Sequence, residues 1–339
     1  MKKNTRFYCC IAILFSLTAC NLSGNKRKSE HVGAFLSSGL SGNNIWELKV
    51  HNNNLYAATD SGLYRIALNA NHWQSISDGM HLTFIVFSEQ EIMAEHKGIL
   101  YRTANGGQTW QKYQNGFGGN TSFYPVDLEL AQDNPDVIYA EVNGSSVAVS
   151  QNRGESWKLL WGTWDEAGAG FFIRVDPGNS KNIWAGGATP TTHPLLIRSI
   201  NGGQSWQHIN PANPIPQTSV YDLLINSDSS DIVLTSLGNG IYKSIDGGEN
   251  WKHVFNKASI KALVQGQSNS QIVYAAGIDY TSRLSFSISH NFGDSWETVV
   301  DSTGPKEIYT NDLVVTTVNG KQILYFGTNK GVYSYELPE

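Results

Sequence analysis

From Phe35 almost to its last residue the chain alternates apolar and polar positions in short runs, each closed by a turn rich in glycine, asparagine and aspartate. Val126-Asp127-Leu128-Glu129-Leu130 followed by Ile138-Tyr139-Ala140 is one such pair. The second member recurs as Ile183-Trp184-Ala185, Ile272-Val273-Tyr274 and Ile323-Leu324-Tyr325. Period-two alternation over runs this short predicts antiparallel strands. Helix-favouring runs of Ala, Leu and Glu are scarce beside the many Trp and Tyr, so the chain reads as all-β.

Five of the turns fit [ST]-x-[DN]-x-G-x-[TSN]-W, at residues 103–110, 150–157, 199–206, 244–251 and 289–296. Their closing residues Trp110, Trp157, Trp206, Trp251 and Trp296 stand 47, 49, 45 and 45 residues apart. A side-chain oxygen at the third position (Asn105, Asn152, Asn201, Asp246, Asn291) can bond the turn's own N–H groups, and glycine at the fifth takes φ > 0 without strain. The tryptophan is expected to open the next strand with a buried face. A period of this length is one four-stranded blade of a radial repeat.

Upstream, Leu55-Tyr56-Ala57 and Gly62-Leu63-Tyr64-Arg65 lead to Trp73 through an eroded copy of the turn. Downstream, residues 311–336 supply three strands and no fourth. Residues 32–40 resemble the outer strands that follow Trp73 and Trp110. The expected fold is therefore a seven-bladed β-propeller of four-stranded antiparallel blades spanning 32–339, its ring closed by the N-terminal strand pairing with the C-terminal blade. Closure would remove open sheet edges, and a domain of about 300 residues buries a sizeable core.

The turn resembles the Asp-box, or BNR, repeat of sialidases, sortilin-like receptors, xyloglucan hydrolases and the photosystem II assembly factors. In those families it caps a hairpin on the face away from the active site, which implies a structural role for Asn105, Asn152, Asn201, Asp246 and Asn291. The single ring and the N-terminal signal resemble the assembly factors most, although the basic patch with which those proteins bind partners is not legible here. The three converging arginines of sialidases are missing: Arg65, Arg102 and Arg198 share one repeat position with Lys243, and Arg153 lies inside a turn.

The formal net charge of -5 over 339 residues shows no basic excess, so no nucleic-acid partner is expected. Residues 1–19 read as a signal segment: Lys2, Lys3 and Arg6 precede an apolar run too short to span a bilayer. Leu17-Thr18-Ala19-Cys20 resembles the bacterial lipobox, which implies a lipid on Cys20 and a tether over 20–31. Asn21 in place of Asp implies outer-membrane sorting. Cys9 and Cys10 would leave with the signal, so no disulfide is expected.

Aligning the inner strands places Glu47, Phe84, Asp127, Phe172, Asp222, Lys261 and Asp312 around one mouth of the central channel. Carboxylates there, Glu47, Asp127, Asp222 and Asp312, can serve as acid and base or nucleophile on a glycosidic bond, or can simply line a wet channel. The longest connections open on the same face and carry Trp161, Trp164, Asp165, Glu166, His193, Lys261, Tyr280 and Arg283 as candidate ligand-binding residues. Exposed tryptophans there would stack on a sugar or anchor a protein; the alternative is local packing. No H-x-H, H-E-x-x-H, phosphate loop or nucleophile elbow occurs, so neither metal nor cofactor is expected. The favoured reading is a monomeric, envelope-anchored binding or assembly module for a protein or glycan. The alternative is a glycosidase or lyase.

Overall fold

The computed structural model describes residues 34–113, 125–162, 167–278, 283–300 and 305–338. Cys20, Trp164, Asp165, Glu166 and Tyr280 lie outside the described residues, as do Val32 and Gly33.

The strands form seven four-stranded antiparallel sheets, one per predicted repeat. Six are contiguous in sequence. Blade one, for example, is Ile45–His51, Asn54–Thr59, Gly62–Ala67 and Gln74–Asp78. The inner strands of blades two to six are Phe84–Val86, Pro125–Leu130, Ala169–Asp176, Val220–Asn226 and Ile260–Gln265. Blade seven takes Thr310–Val318, Lys321–Thr328 and Gly331–Glu336 from the end of the chain and Leu36–Gly39 from its beginning. Leu36 pairs with Ser334 and Gly39 with Val332, so the closing strand is shorter than residues 32–40 suggested.

Phe35 explains why the closure holds. Its ring is buried and lies 5.2 Å from both Phe326 and Tyr335 and 6.1 Å from Phe286, wedged between blades six and seven. Such blade-to-blade clusters make up the core. Tyr56 meets Phe84 between blades one and two, and Trp184 packs with Val220 and Val233 between blades four and five. Each inward position of a strand thus buries its apolar face against the next sheet.

The repeated turns join third to outer strands at one end of the ring, the turn end. In the turn at 199–206 the Ser199 hydroxyl donates to Asn201 Oδ1 (2.9 Å) and accepts from the Gly203 amide (2.8 Å), while Asn201 Oδ1 accepts from the Ser205 amide (3.0 Å). Asn105, Asn152, Asp246 and Asn291 repeat this pattern in their own turns. Positive φ falls on the fourth position as well as the fifth, as in Gly202 (71°) and Gly203 (83°). Arg153 (56°) and Phe292 (46°) carry it where glycine is missing. The closing tryptophans precede their strands by one residue instead of opening them, and each is half-buried with part of its ring packed against a core cluster.

Candidate functional site

The end of the ring opposite the turns carries the connections between blades and the hairpins between second and third strands. It is also where the inner strands begin. Six inner strands shift register at that end: five by a single residue, between residues 45 and 47, 125 and 127, 220 and 222, 260 and 262, and 310 and 312, and that of blade four between residues 169 and 172. A bulge leaves one residue unpaired and re-aims it. Trp46, Val126, Tyr221, Lys261 and Asn311 hold that unpaired place.

The bulge corrects the sequence alignment at two positions. Ala262, not Lys261, pairs as Asp222 does, opposite Ala276 as Asp222 is opposite Ser236. In blade two the equivalent of Asp127 is Thr83, because Phe84 and Leu128 occupy matching places in the ladder, opposite Ala94 and Ala140. Phe84 is buried in the core between blades one and two, and Phe172 is buried against blade five.

With that register, the mouth residues clasp neighbouring blades. Asp312 Oδ2 accepts the Leu48 amide (2.6 Å), Glu47 the Phe84 amide (3.1 Å), Thr83 Oγ1 the Leu128 amide (3.1 Å), Asp127 Oδ2 the Ile173 amide (3.1 Å) and Asp222 Oδ2 the Leu263 amide (2.8 Å). Each bond crosses from one blade to the next. Between blades four and five, where Phe172 offers no acceptor, Arg174 makes the crossing. Its Nε and Nη2 donate to Asp222 Oδ1 (3.1 and 2.7 Å) and its Nη1 to Asp127 Oδ2 (3.1 Å).

Lys49, Glu129 and Arg174 are channel residues the sequence reading passed over. Each stands two places beyond a mouth position, and side chains two apart on a strand share a face, so that period was the signal. Lys49 bridges Glu47 at 2.7 Å and donates to the Phe84 carbonyl at 2.6 Å. Burial pushes Glu129 and Asp312 up to about 7, and raises Glu47 and Asp222 despite Lys49 and Arg174 beside them. Burial opposes the charge on Arg174, but Asp222 and Asp127 hold its pKa above the ordinary value. Five carboxylates thus share two cations, and most of their oxygens are committed to backbone amides.

Of the described loop candidates, Trp161 falls on blade three, His193 on blade four, and Lys261 and Arg283 on blade six. Trp161 is half-buried against the cluster of Tyr139, Ile173 and Leu195, which is the local packing alternative. His193 is exposed on the blade-four hairpin, its Nδ1 3.1 Å from Thr191 Oγ1, and lines a 440 Å³ cleft with Pro190, Leu195, His208 and Ile215. Lys261 sits two blades away with its Nζ 3.2 Å from the centre of the Tyr221 ring, and burial lowers it to about 8. Arg283 pairs through its backbone with Lys306.

Two features of the mouth escaped the sequence reading. Lys257, Lys261, Arg283, Lys306 and Lys330 all fall on mouth-end segments of blades six and seven, with Glu307 3.8 Å from Lys330. Trp46 and Tyr309, 42% and 40% exposed, stand at the starts of blades one and seven, joined by the Asn311 amide donating to Asn44 Oδ1 (3.0 Å). The basic residues are spread over 73 positions of sequence and only the ring gathers them.

By contrast, the repeat-position cations serve as staples at the turn end. Arg198 donates to the Gly247 carbonyl in the next blade's turn, Lys243 reaches Asp294 in the next one (2.8 Å), and Arg102 and Arg153 share Glu91. They are not grouped to hold a substrate carboxylate. Among the described residues no three His, Cys, Asp or Glu side chains are grouped to hold a metal.

Fold and mouth together define a single-ring, seven-bladed β-propeller whose variable segments gather at one end. No protein-family model matches the chain, and no curated protein does. Solved structures do. A GH74 xyloglucanase from Xanthomonas campestris superposes with a TM-score of 0.70 at 16% identity over 89% of this chain, which spans 53% of that enzyme. YCF48 bound to D1 peptide gives 0.66 at 13% identity over 91% of this chain and 97% of that one. YCF48 from Cyanidioschyzon merolae gives 0.62 at 12% identity, covering 90% and 99%. Likeness at such identity shows the fold alone, and the fold hosts both binding proteins and hydrolases.

Proposed function

We propose that the chain is a non-enzymatic binding or assembly module, built on Asp-box repeats, that engages a protein or glycan with its mouth face. The observation that carries this reading is the use made of Glu47, Asp127, Asp222 and Asp312. Each accepts a backbone amide of the neighbouring blade through one oxygen, which gives it a structural task in holding the ring. The mouth instead offers exposed Trp46 and Tyr309 beside a basic rim, which suits an anionic or aromatic-binding surface. The near-complete overlap with YCF48, seen bound to a peptide, is in keeping with one ring acting as a binder. The xyloglucanase is about twice as long.

A lipid on Cys20 completes the proposal. The strand Leu36–Gly39 starts beside Ser334 near the turn end and finishes beside Val332 near the mouth.

The test is site-specific photocrosslinking in the native envelope, with the reactive group at Trp46 or Tyr309 on the mouth and at Ile200 or Ile245 on the turn end. A discrete adduct from the mouth positions alone supports the proposal. Adducts from the turn positions alone would overturn it. Shortening of envelope polysaccharide that Asp127→Asn abolishes would establish the glycosidase instead.

A further inference from the structure

Glu141 lies in the second strand of blade three (Ile138–Val142), with no exposed surface and no hydrogen-bond partner for either carboxyl oxygen. Ser145, in the turn that follows, is 2% exposed, and its hydroxyl has no partner either. Burial, and after it the charge of Asp127, push Glu141 up to about 9, while the nearby amides of Gly144 and Ser145 pull the other way without reaching hydrogen-bonding geometry. Blade two shows what a satisfied arrangement looks like. There the equivalent Glu95 accepts the Gly98 amide at 2.6 Å and the Leu82 amide at 3.3 Å, and so ties its hairpin to the start of the inner strand.

Across the ladder Glu141 is opposed by Asp127, and directly opposed residues project from the same face with Cβ atoms about 5 Å apart. Asp127 spends Oδ2 on Ile173 and Arg174, while Oδ1 has no bond. Arg174 is shared with Asp222. One guanidinium therefore serves two carboxylates and the Ile173 carbonyl, and none of its bonds goes to Glu141. The place is built of oxygens alone and is closed to solvent at Glu141 and Ser145; Arg174 reaches Asp127 Oδ2 but makes no bond to Glu141. Buried polar groups without partners are rare in folded proteins and point to something held between them.

We propose that Glu141, Ser145 and Asp127 form a binding site for one hard divalent cation, of which calcium is the type. Glu141 would supply both oxygens, Asp127 its Oδ1 and Ser145 its Oγ, with water completing the six to eight oxygens usual for this ion. An all-oxygen set without nitrogen or sulfur selects against zinc and copper. A water molecule there would satisfy hydrogen bonds but would leave an ionised Glu141 uncompensated beside Asp127, whereas a cation answers both needs. The ion would join the blade-three hairpin to Asp127, whose other oxygen clasps blade four. The site stands apart from the partner-binding proposal, and either can fail without the other.

The test uses the full chain, stripped with chelator, in calorimetric titration with calcium chloride and in thermal melts. Binding of one calcium per chain is expected, raising the melting midpoint by roughly 5 °C at a hundredfold excess over Kd. Glu141→Gln preserves shape and should fold; it is expected to lose both the heat of binding and the rise, and Ser145→Ala to weaken them. No rise in the wild-type chain would overturn the site. So would an equal rise in Glu141→Gln, which would locate any calcium elsewhere.

Discussion

The indole Nε1 of Trp73 donates to the backbone oxygen of Ser38 across 2.7 Å, joining the eroded turn of blade one to the strand that closes blade seven. Gly39 sits so close beneath the ring that a Cβ there would lie 2.7 Å from it, and its φ of 106° is one that L side chains rarely adopt. Trp110 makes the same bond one blade on, to the oxygen of Ile76 at 2.9 Å. The turn at Trp73 has lost its motif and kept its tryptophan because that ring holds the seam.

Trp73→Ala should therefore loosen ring closure. The half-buried ring and its hydrogen bond contribute about 2 kcal/mol, so the melting midpoint should fall by about 5 °C. Native-state hydrogen exchange should speed up first at Gly331–Glu336. Uniform exchange across all blades would contradict a seam.

In a single turn, Ser199→Ala removes the hydroxyl that serves both Asn201 and the Gly203 amide. The expected cost is about 1–2 kcal/mol in urea denaturation, with mouth crosslinking unchanged. Loss of crosslinking in a folded variant would mean that the turn end takes part in binding.

Arg174→Gln leaves Asp127 and Asp222 without their shared cation. About a third of the Arg174 side chain is exposed, so breaking the pair from one side should cost less than the roughly 3 kcal/mol of a fully buried pair. Adding Asp222→Asn should recover part of the loss, and a double variant no more stable than Arg174→Gln would deny the coupling.

The pKa of Asp312, raised by burial to about 7 from an ordinary 3.8, fixes the sign of a pH effect. The folded chain holds a proton that the unfolded chain has released, so this group disfavours folding most above pH 7. The penalty is relieved as pH falls through 7 towards 4. Melting midpoints should accordingly rise as pH is lowered from 8 to 5.5, with a shallower slope in Asp312→Asn. An unchanged slope would show that Asp312 does not titrate in this range.

Much of the architecture was legible because it is local. Serine, asparagine and glycine at fixed offsets close a turn within eight residues, and the tryptophan spacing counts the blades. The mouth was legible in part: four carboxylates were placed rightly, and the period-two rule that found Asp127 also reaches Glu129. Phe84 and Lys261 were misplaced because a shift of one residue within a bulged or short strand leaves no mark on the apolar pattern. Trp161 lies half-buried against blade four, and burial of that kind depends on the neighbouring blade.

By itself the sequence determined the strands, their number per repeat, the turn chemistry and the need for a strand from the far end of the chain. Each follows from side-chain alternation and backbone conformation over a few residues. Only the tertiary structure decided that the mouth carboxylates clasp neighbouring blades, that Arg174 links Asp127 and Asp222 on the blades either side of it, that five basic residues fall at the mouth end of two adjoining blades, and that Glu141 lacks a partner. Those facts depend on which amide or charge a neighbouring sheet presents across several ångströms. That is set when blades from distant parts of the chain pack side by side.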